Sequence, residues 1–146
     1  MLPTVDFGGK TVTRLIIGAN PFGGYSHQNP ERDKEMKTYY TVDRILETWQ
    51  RAERAGINTM ITNNETPHVL KAVRQYLGAD GPLQWIAQVN CRTIPDMFES
   101  IDHVVDIGCI ALYFHGALVD RAYADQDVET LSSWCEYARS LDVLVG

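Results

Sequence analysis

The sequence has 146 residues, of which 45% are hydrophobic, and this apolar content is enough to bury the core of one globular domain. A formal net charge of −6 and the lack of a Lys/Arg cluster exclude the basic face that nucleic acids and anionic membranes require. No apolar run reaches the ~18 residues of a membrane span, and no signal-peptide pattern is present. We therefore expect a cytoplasmic protein whose partner is a small polar molecule or another protein.

The first third of the chain predicts a hairpin, a strand and a helix. Two β-prone pieces flank a Gly-Gly pair within residues 4–13, which is typical of a hairpin. The short apolar run Arg14–Asn20 predicts a fully buried strand. Residues 41–55 carry apolar side chains at helical spacing and are followed by a glycine, so they predict a helix.

The rest of the chain repeats a strand followed by a helix. The predicted strands are residues 57–62, 83–90 and 109–114, and residues 143–146 begin another. The predicted helices start at Thr66-Pro67, cover residues 93–108, and follow the apolar stripe from Val128 to Leu141. Residues 21–40 form a long connection, which predicts a lid or a binding loop.

Repeated strand-helix units indicate an α/β fold with a parallel sheet and right-handed crossovers, either open or closed into a barrel. No G-x-G-x-x-G follows the first predicted strand, which disfavours a dinucleotide-binding Rossmann unit. The three cysteines, Cys91, Cys109 and Cys135, match no zinc-ligand spacing, so we expect reduced thiols. Cys91 could be a nucleophile, but packing is the favoured interpretation for a free cysteine.

Three segments carry a resemblance to a known family: "VTRLIIGANPFGG" at 12–24, "RAERAGIN" at 51–58 and "IALYFHG" at 110–116. With the preceding hairpin, they resemble the N-terminal half of the aldo/keto reductases, which are (β/α)8 TIM barrels. The resemblance implies that residues 1–146 are the N-terminal half of one barrel domain, with about four βα units and the start of a fifth strand. Because a closed barrel takes roughly 250 residues, we expect a fragment of a longer chain or a half-barrel that self-associates.

The resemblance also implies carbonyl reduction with NADPH, carried out in the family by an Asp, a Tyr, a Lys and a His. In this sequence the first three positions fall at or beside Ile61, Thr66 and Gln88, and only His115 is kept. A threonine is not a proton donor near neutral pH, and a glutamine carries no charge to activate a tyrosine. We therefore expect little NADPH-dependent reduction.

The carboxyl ends of parallel strands meet at one edge, where barrel enzymes carry their active sites. The polar side chains at the predicted strand ends are Asn20, Asn63, Asn64, Glu65, Asn90 and His115. Amides both donate and accept hydrogen bonds, so the asparagines are predicted substrate-binding residues for a polyhydroxylated or amide-bearing molecule, together with His27 of the long connection. Glu65 and His115 can exchange protons near neutral pH and are the predicted catalytic residues.

Each of these residues also has a structural interpretation. Asparagines favour turns and caps because their side chains bond nearby backbone groups. Glu65 precedes a predicted helix, where a carboxylate is stabilising, and His115 could be a rim residue without chemistry. A further alternative is a divalent metal held by His27, Glu65, His68 and His115. These ligands would come from different strands, so their spacing in the sequence is not diagnostic.

Three classes of function are consistent with these patterns. The favoured one is a barrel enzyme that acts by acid-base chemistry on a small polar or carbohydrate-like substrate, with or without a metal. The alternatives are an NADPH-dependent oxidoreductase with displaced catalytic groups and a non-catalytic small-molecule binding protein.

Overall fold

The computed structural model describes residues 2–146. The strands are β1 (Thr4–Phe7), β2 (Lys10–Thr13), β3 (Thr59–Asn63), β4 (Gln84–Val89), β5 (Ala111–Phe114) and β6 (Leu144–Val145). The helices are α1 (Asn20–Gly23), α2 (Pro30–Tyr39), α3 (Val42–Arg54), α4 (Pro67–Gly78), α5 (Met97–Ile107), α6 (Gly116–Ala124) and α7 (Val128–Ser140). Within this described part, none of the helices combines the length and the apolar character needed to cross a membrane.

The strands form two sheets. β1 and β2 are an antiparallel hairpin in which Thr4 pairs with Thr13 and Phe7 pairs with Lys10, as the sequence predicts. The second sheet has four strands in the order β3-β4-β5-β6, and the pairs β4–β5 and β5–β6 are parallel. The predicted α/β class is therefore confirmed, but neither sheet formed by residues 2–146 closes into a barrel.

The chain divides into two compact units, and the first comprises the residues up to Thr62 together with Thr66–Gln84. Its core is built around α3, whose buried face includes Trp49. The ring of Trp49 makes edge contacts with Phe22 and Tyr76, at centroid distances of 6.0 and 5.6 Å. Aromatic pairs in this geometry stabilise a core beyond the area that they bury.

The second unit comprises Asn63–Glu65 and Trp85–Gly146. Its helices α5 and α7 begin where the sequence supplies caps, because the side chains of Asp96 and Asp127 accept hydrogen bonds from backbone N–H groups of the first turns. Strands β4 and β5 pair in parallel register in this unit. The unit therefore contains the carboxyl ends of two neighbouring parallel strands, β4 and β5, and the segments that connect them to the next helices.

The two faces of β5 differ. Phe114 packs against Trp134 of α7, with 5.4 Å between ring centroids. Since successive strand side chains alternate between faces, Tyr113 points to the opposite face. There its hydroxyl accepts a hydrogen bond of 3.2 Å from the amide nitrogen of Gln88, its cross-strand partner on β4. Burial raises the pKa of Tyr113, so the phenol stays neutral and keeps its proton.

The predicted strand Arg14–Asn20 is wrong. The segment makes a single isolated parallel bridge, between Ile17 and Met60, and Leu15 is 57% exposed. Asn20, predicted to follow a strand, instead begins the short helix α1. An apolar run predicts burial, but a strand also needs a neighbour along its length to take its backbone hydrogen bonds.

Residues 21–40 are not an irregular connection, because they contain most of α1 and all of α2. The start of α2 is marked by Asn29, whose side chain accepts a hydrogen bond from Arg32 N, and by Pro30 at the first helical position. No side chain of α2 is buried. The helix therefore has no apolar stripe from which periodicity could predict it.

Two further helices differ from the sequence prediction. The patterns do not predict α6, which follows β5 directly. The helix predicted over residues 93–108 is shorter, because the Asp96 cap sets its start. The other predicted strands and helices are present with ends shifted by one or two residues, a shift typical of sequence-based boundaries.

Candidate functional site

The polar run that follows β3 forms a tight turn in the second unit. The side-chain oxygen of Asn63 accepts a hydrogen bond of 3.1 Å from the backbone N–H of Glu65. This is an Asx turn, in which the side chain replaces a backbone acceptor. Asn63 therefore reverses the chain after β3 and fixes the backbone that carries Glu65.

Asn64 is buried, with 1% of its surface exposed. Its Oδ1 accepts from Asn90 N and its Nδ2 donates to Asn90 O, both at 3.0 Å. Its own backbone N–H donates to Gln88 O at 3.0 Å. The amide thus pairs with both backbone polar groups of Asn90, as a neighbouring strand would, and continues the hydrogen bonding one residue beyond the end of β4.

Asn90 is 3% exposed, and its side chain links two functional groups. Its Nδ2 donates to Glu65 Oε2 at 2.7 Å, and its Oδ1 accepts from Arg92 N at 2.7 Å. The first is a charge-assisted bond at the short end of the normal range. Asn90 therefore holds both the Glu65 carboxylate and the start of the loop that carries Arg92.

The Glu65 side chain is only 8% exposed and also lies 3.3 Å, Oε1 to guanidinium nitrogen, from Arg92. Arg92 itself is 63% exposed. Buried charges are tolerated when they are paired and hydrogen-bonded, and Glu65 meets both conditions. The result is a carboxylate of fixed orientation at the carboxyl end of the strands.

His115 stands at the end of the neighbouring strand. Its backbone N–H donates to Val89 O at 2.9 Å, and Val89 pairs with Phe114 across the two strands. Asn90 and His115 are therefore level with each other on parallel strands that lie about 4.8 Å apart. Within the second unit, Glu65 thus contacts Asn90, and His115 follows the end of the strand beside it.

The His115 ring caps α6. Its Nδ1 accepts a hydrogen bond of 3.2 Å from Ala117 N. A neutral imidazole has one acceptor and one donor nitrogen, so the ring proton is assigned to Nε2. His115 therefore presents an N–H donor, and not a second acceptor, to anything bound beside it.

Asn20 and His27 form a separate group within the first unit. Asn20 Nδ2 lies 3.3 Å from His27 Nε2, and both residues are exposed. His27 has a φ of 55°, in the left-handed region that non-glycine residues rarely adopt. His68 of the same unit bonds Phe22 O through Nε2 at 2.7 Å. In residues 2–146, no three His, Cys, Asp or Glu side chains are grouped to hold a metal ion.

Cys91 follows Asn90, and burial together with the nearby Asp96 carboxylate raises the pKa of its thiol. Its Sγ lies 3.9 Å from Met97 Sδ. A thiol with a raised pKa is a poor nucleophile at neutral pH. The packing interpretation of Cys91 is therefore the one that the structure supports.

Two residues of this edge are not found by the sequence reasoning. Arg92 lies two positions beyond the predicted end of β4, and Tyr113 lies two positions before His115. Tyr113 lies within the segment that the sequence predicts as a strand, and its bond to Gln88 on the neighbouring strand carries no sequence signal. The ion pair of Arg92 carries no sequence signal, because Glu65 is 27 residues away.

An open groove of about 640 Å³ lies in the first unit and is lined by Glu31, Lys34, Glu35, Thr38, Tyr39 and Arg44. It contains none of the predicted site residues. Its charges are of both signs, and one wall is helix α2, which has no buried residue. The groove is open to solvent rather than enclosed, and the strand-end cluster, with its buried carboxylate, is the better candidate.

Comparison with known proteins gives no family assignment: no protein-family model, curated protein or solved structure matches the chain.

Replacing Asn64 with Ala should leave the buried N–H of Asn90 unpaired, while the C=O of Asn90 keeps only its 3.4 Å bond from Ser100 Oγ. We expect the free energy of unfolding to fall by about 1–3 kcal/mol for each group left unpaired. Urea unfolding measures the loss, and Gln50→Ala, which truncates an exposed amide on α3, is the matched control. Equal stability of the two variants would contradict the structural role of Asn64.

Proposed function

We propose that the second unit is a catalytic part of an enzyme that binds a small polar molecule at the strand ends of β4 and β5 and moves protons to and from it. Glu65 accepts and returns the proton, and the Nε2–H of His115 donates a hydrogen bond to a substrate oxygen. The observation that carries the proposal is the Glu65 carboxylate, 8% exposed and oriented by Asn90 and Arg92. A surface turn does not need a buried carboxylate, and a positioned acid or base does.

The fixed geometry of Glu65 favours catalysis because an oriented group loses little freedom when a substrate arrives. Its two oxygens are bound by different donors, the Asn90 amide and the Arg92 guanidinium. A carboxylate held in this way is positioned to accept a proton from a substrate. The short bonds to protein donors hold the carboxylate while that proton is transferred.

His115 supplies the complementary group. With Nδ1 engaged by Ala117 N, the Nε2–H can donate a hydrogen bond to an oxygen of the substrate and stabilise the negative charge that develops there when a proton is removed. Glu65 takes that proton and can return it to the substrate, so transfer in both directions is accounted for. Tyr113 of β5, two residues before His115, adds a neutral hydroxyl that is bonded to Gln88.

The four asparagines divide into different roles in this proposal. The amides of Asn64 and Asn90 are both engaged with protein groups, which supports positioning roles rather than direct substrate contact. Asn63 is half-exposed and, like the exposed pair Asn20 and His27, is retained as a proposed substrate-binding residue. Uncharged amides of this kind suit a polyhydroxylated, carbohydrate-like molecule.

The proposed architecture is a (β/α)8 barrel similar to the aldo/keto reductases, of which this chain supplies an N-terminal half. Three strand-helix units and a parallel sheet support it. NADPH chemistry of that family has no support from the side chains, because Ile61, Thr66 and Gln88 cannot replace a proton-donating tyrosine and its activating charges. We derive no reaction step through a nicotinamide, and we propose a cytoplasmic location.

Hydrogen exchange at substrate carbon tests the proposal without knowledge of the product. Aldoses, ketoses and hydroxy acids are incubated with the protein in D2O, and exchange of C–H for C–D is followed by proton NMR. At least one compound should exchange, and Glu65→Gln and His115→Gln should each slow the exchange by ~10²–10⁴-fold, the usual contribution of a positioned acid or base. Glu65→Gln also removes the ion pair with Arg92 and the charge that strengthens the bond from Asn90, so an amide NMR spectrum of each variant is recorded to show that it is folded.

Glu129→Gln, which neutralises an exposed carboxylate in the first turn of α7, is the control and should leave exchange unchanged. Exchange that is equally fast in Glu65→Gln, or no exchange with any compound, would contradict the proposal. Saturable binding without exchange would favour the non-catalytic binding protein. Rapid NADPH oxidation with simple aldehydes would favour the reductase.

We also propose that strand β6 takes a further strand on its free edge, from a second copy or from more of the same protein. In the described sheet β6 is an edge strand that pairs only with β5, and unpaired strand edges are templates for association. Light scattering of the 146-residue chain should therefore show species larger than a monomer. A well-dispersed monomer at all concentrations would contradict this.

A further inference from the structure

The second unit is strongly acidic, and its few cations are unevenly placed. It carries eleven Asp and Glu residues, three Arg and no Lys. Arg121 and Arg139 lie in the last turns of α6 and α7, where a positive charge complements the helix dipole. Arg92 has no such helical role. It is the one cation of the unit that lies beside the strand ends.

Arg92 is held at both of its ends. Its backbone N–H donates to Asn90 Oδ1 at 2.7 Å, and one guanidinium nitrogen lies 3.3 Å from Glu65 Oε1. A guanidinium has five N–H donors in a planar fork, so the contact with Glu65 uses only part of it. The remainder is accessible, because the side chain is 63% exposed.

We propose that Arg92 binds the carboxylate of an anionic substrate, so that the molecule acted on at Glu65 and His115 is a polyhydroxylated acid rather than a neutral sugar. The inference rests on the proposed function, since it names the substrate class of the same site. A planar fork matches a carboxylate with two parallel hydrogen bonds. Bound there, the carboxylate places its neighbouring carbons beside Glu65.

The charge of the unit favours a carboxylate over a phosphate. With eleven acidic side chains against three arginines, the unit repels anions at long range, and a doubly charged group more than a singly charged one. Glu65 also neutralises part of the Arg92 charge. One partly neutralised guanidinium therefore suits a group with a single negative charge.

Two probes of the same carbon skeleton test the inference in the full chain: sodium D-gluconate and its uncharged counterpart D-glucitol, each titrated while backbone amide resonances are followed by NMR. Wild type should bind gluconate saturably and at least tenfold more tightly than glucitol. Arg92→Gln should weaken gluconate binding at least tenfold and abolish the preference for gluconate over glucitol. Arg92→Lys, which keeps the charge and loses the fork, should be intermediate.

Arg121→Gln removes a cation of the same unit and should bind both probes like wild type. Undisturbed resonances elsewhere in the unit establish that each variant is folded. The inference is overturned if wild type shows no saturable gluconate binding, if glucitol binds as tightly, if Arg92→Gln binds gluconate normally, or if inorganic phosphate binds more tightly than gluconate. Glucitol binding with intact hydrogen exchange would leave the acid-base proposal standing and remove only the anionic substrate.

Discussion

The amide of Asn64, paired with both backbone polar groups of Asn90, is the interaction on which the strand-end site depends. Beyond the last residues of β4 the parallel ladder ends, and without Asn64 the buried N–H of Asn90 would lose its partner and its C=O would keep only the 3.4 Å bond from Ser100 Oγ. Asn64 supplies a donor and an acceptor at the spacing of a strand and satisfies both. Leaving such groups unpaired costs more than the bonds contribute when made, so the pairing is strongly specified.

The position of Glu65 follows from that pairing. Asn90, once its backbone is fixed, directs its own amide to the carboxylate at 2.7 Å and its oxygen to Arg92 N. The Asx turn of Asn63 fixes the backbone of Glu65 from the other side. Three asparagines therefore orient one acidic side chain. A charged group that is this buried and this constrained is better placed for chemistry than one on a flexible loop, because its geometry is set before a ligand binds.

Local patterns predict much of the fold. The spacing of hydrophobic residues predicts the hairpin, α3 and most of the later strands and helices. Capping residues such as Asp96 and Asp127 mark where helices begin. The segment containing Leu15 could not be predicted correctly, because its apolar run looks like a strand while its neighbour supplies only one bridge. The helix α2 buries nothing and has no apolar stripe, so only its Asn29-Pro30 start marks it.

The sequence places some polar side chains at the strand ends, but it predicts neither Arg92 nor the role of each asparagine. Strand order places Asn63, Glu65 and Asn90 at one edge, but whether an amide faces a ligand or a backbone group depends on contacts across 25 or more positions. The ion pair of Arg92 with Glu65 likewise joins residues that are far apart in the sequence. An asparagine side chain can stabilise a turn or bind a ligand, so an asparagine at a strand end does not by itself distinguish these two roles.

Hydrogen-deuterium exchange of the Asn90 backbone amide, measured by NMR, tests the central interaction most directly. The account predicts slow exchange in the wild type, since this N–H is buried and donates to Asn64 Oδ1. In Asn64→Ala the same amide should exchange much faster, at a rate approaching that of the exposed Thr93 amide in the next loop. Fast exchange at Asn90 in the wild type, or slow exchange that persists in Asn64→Ala, would contradict it.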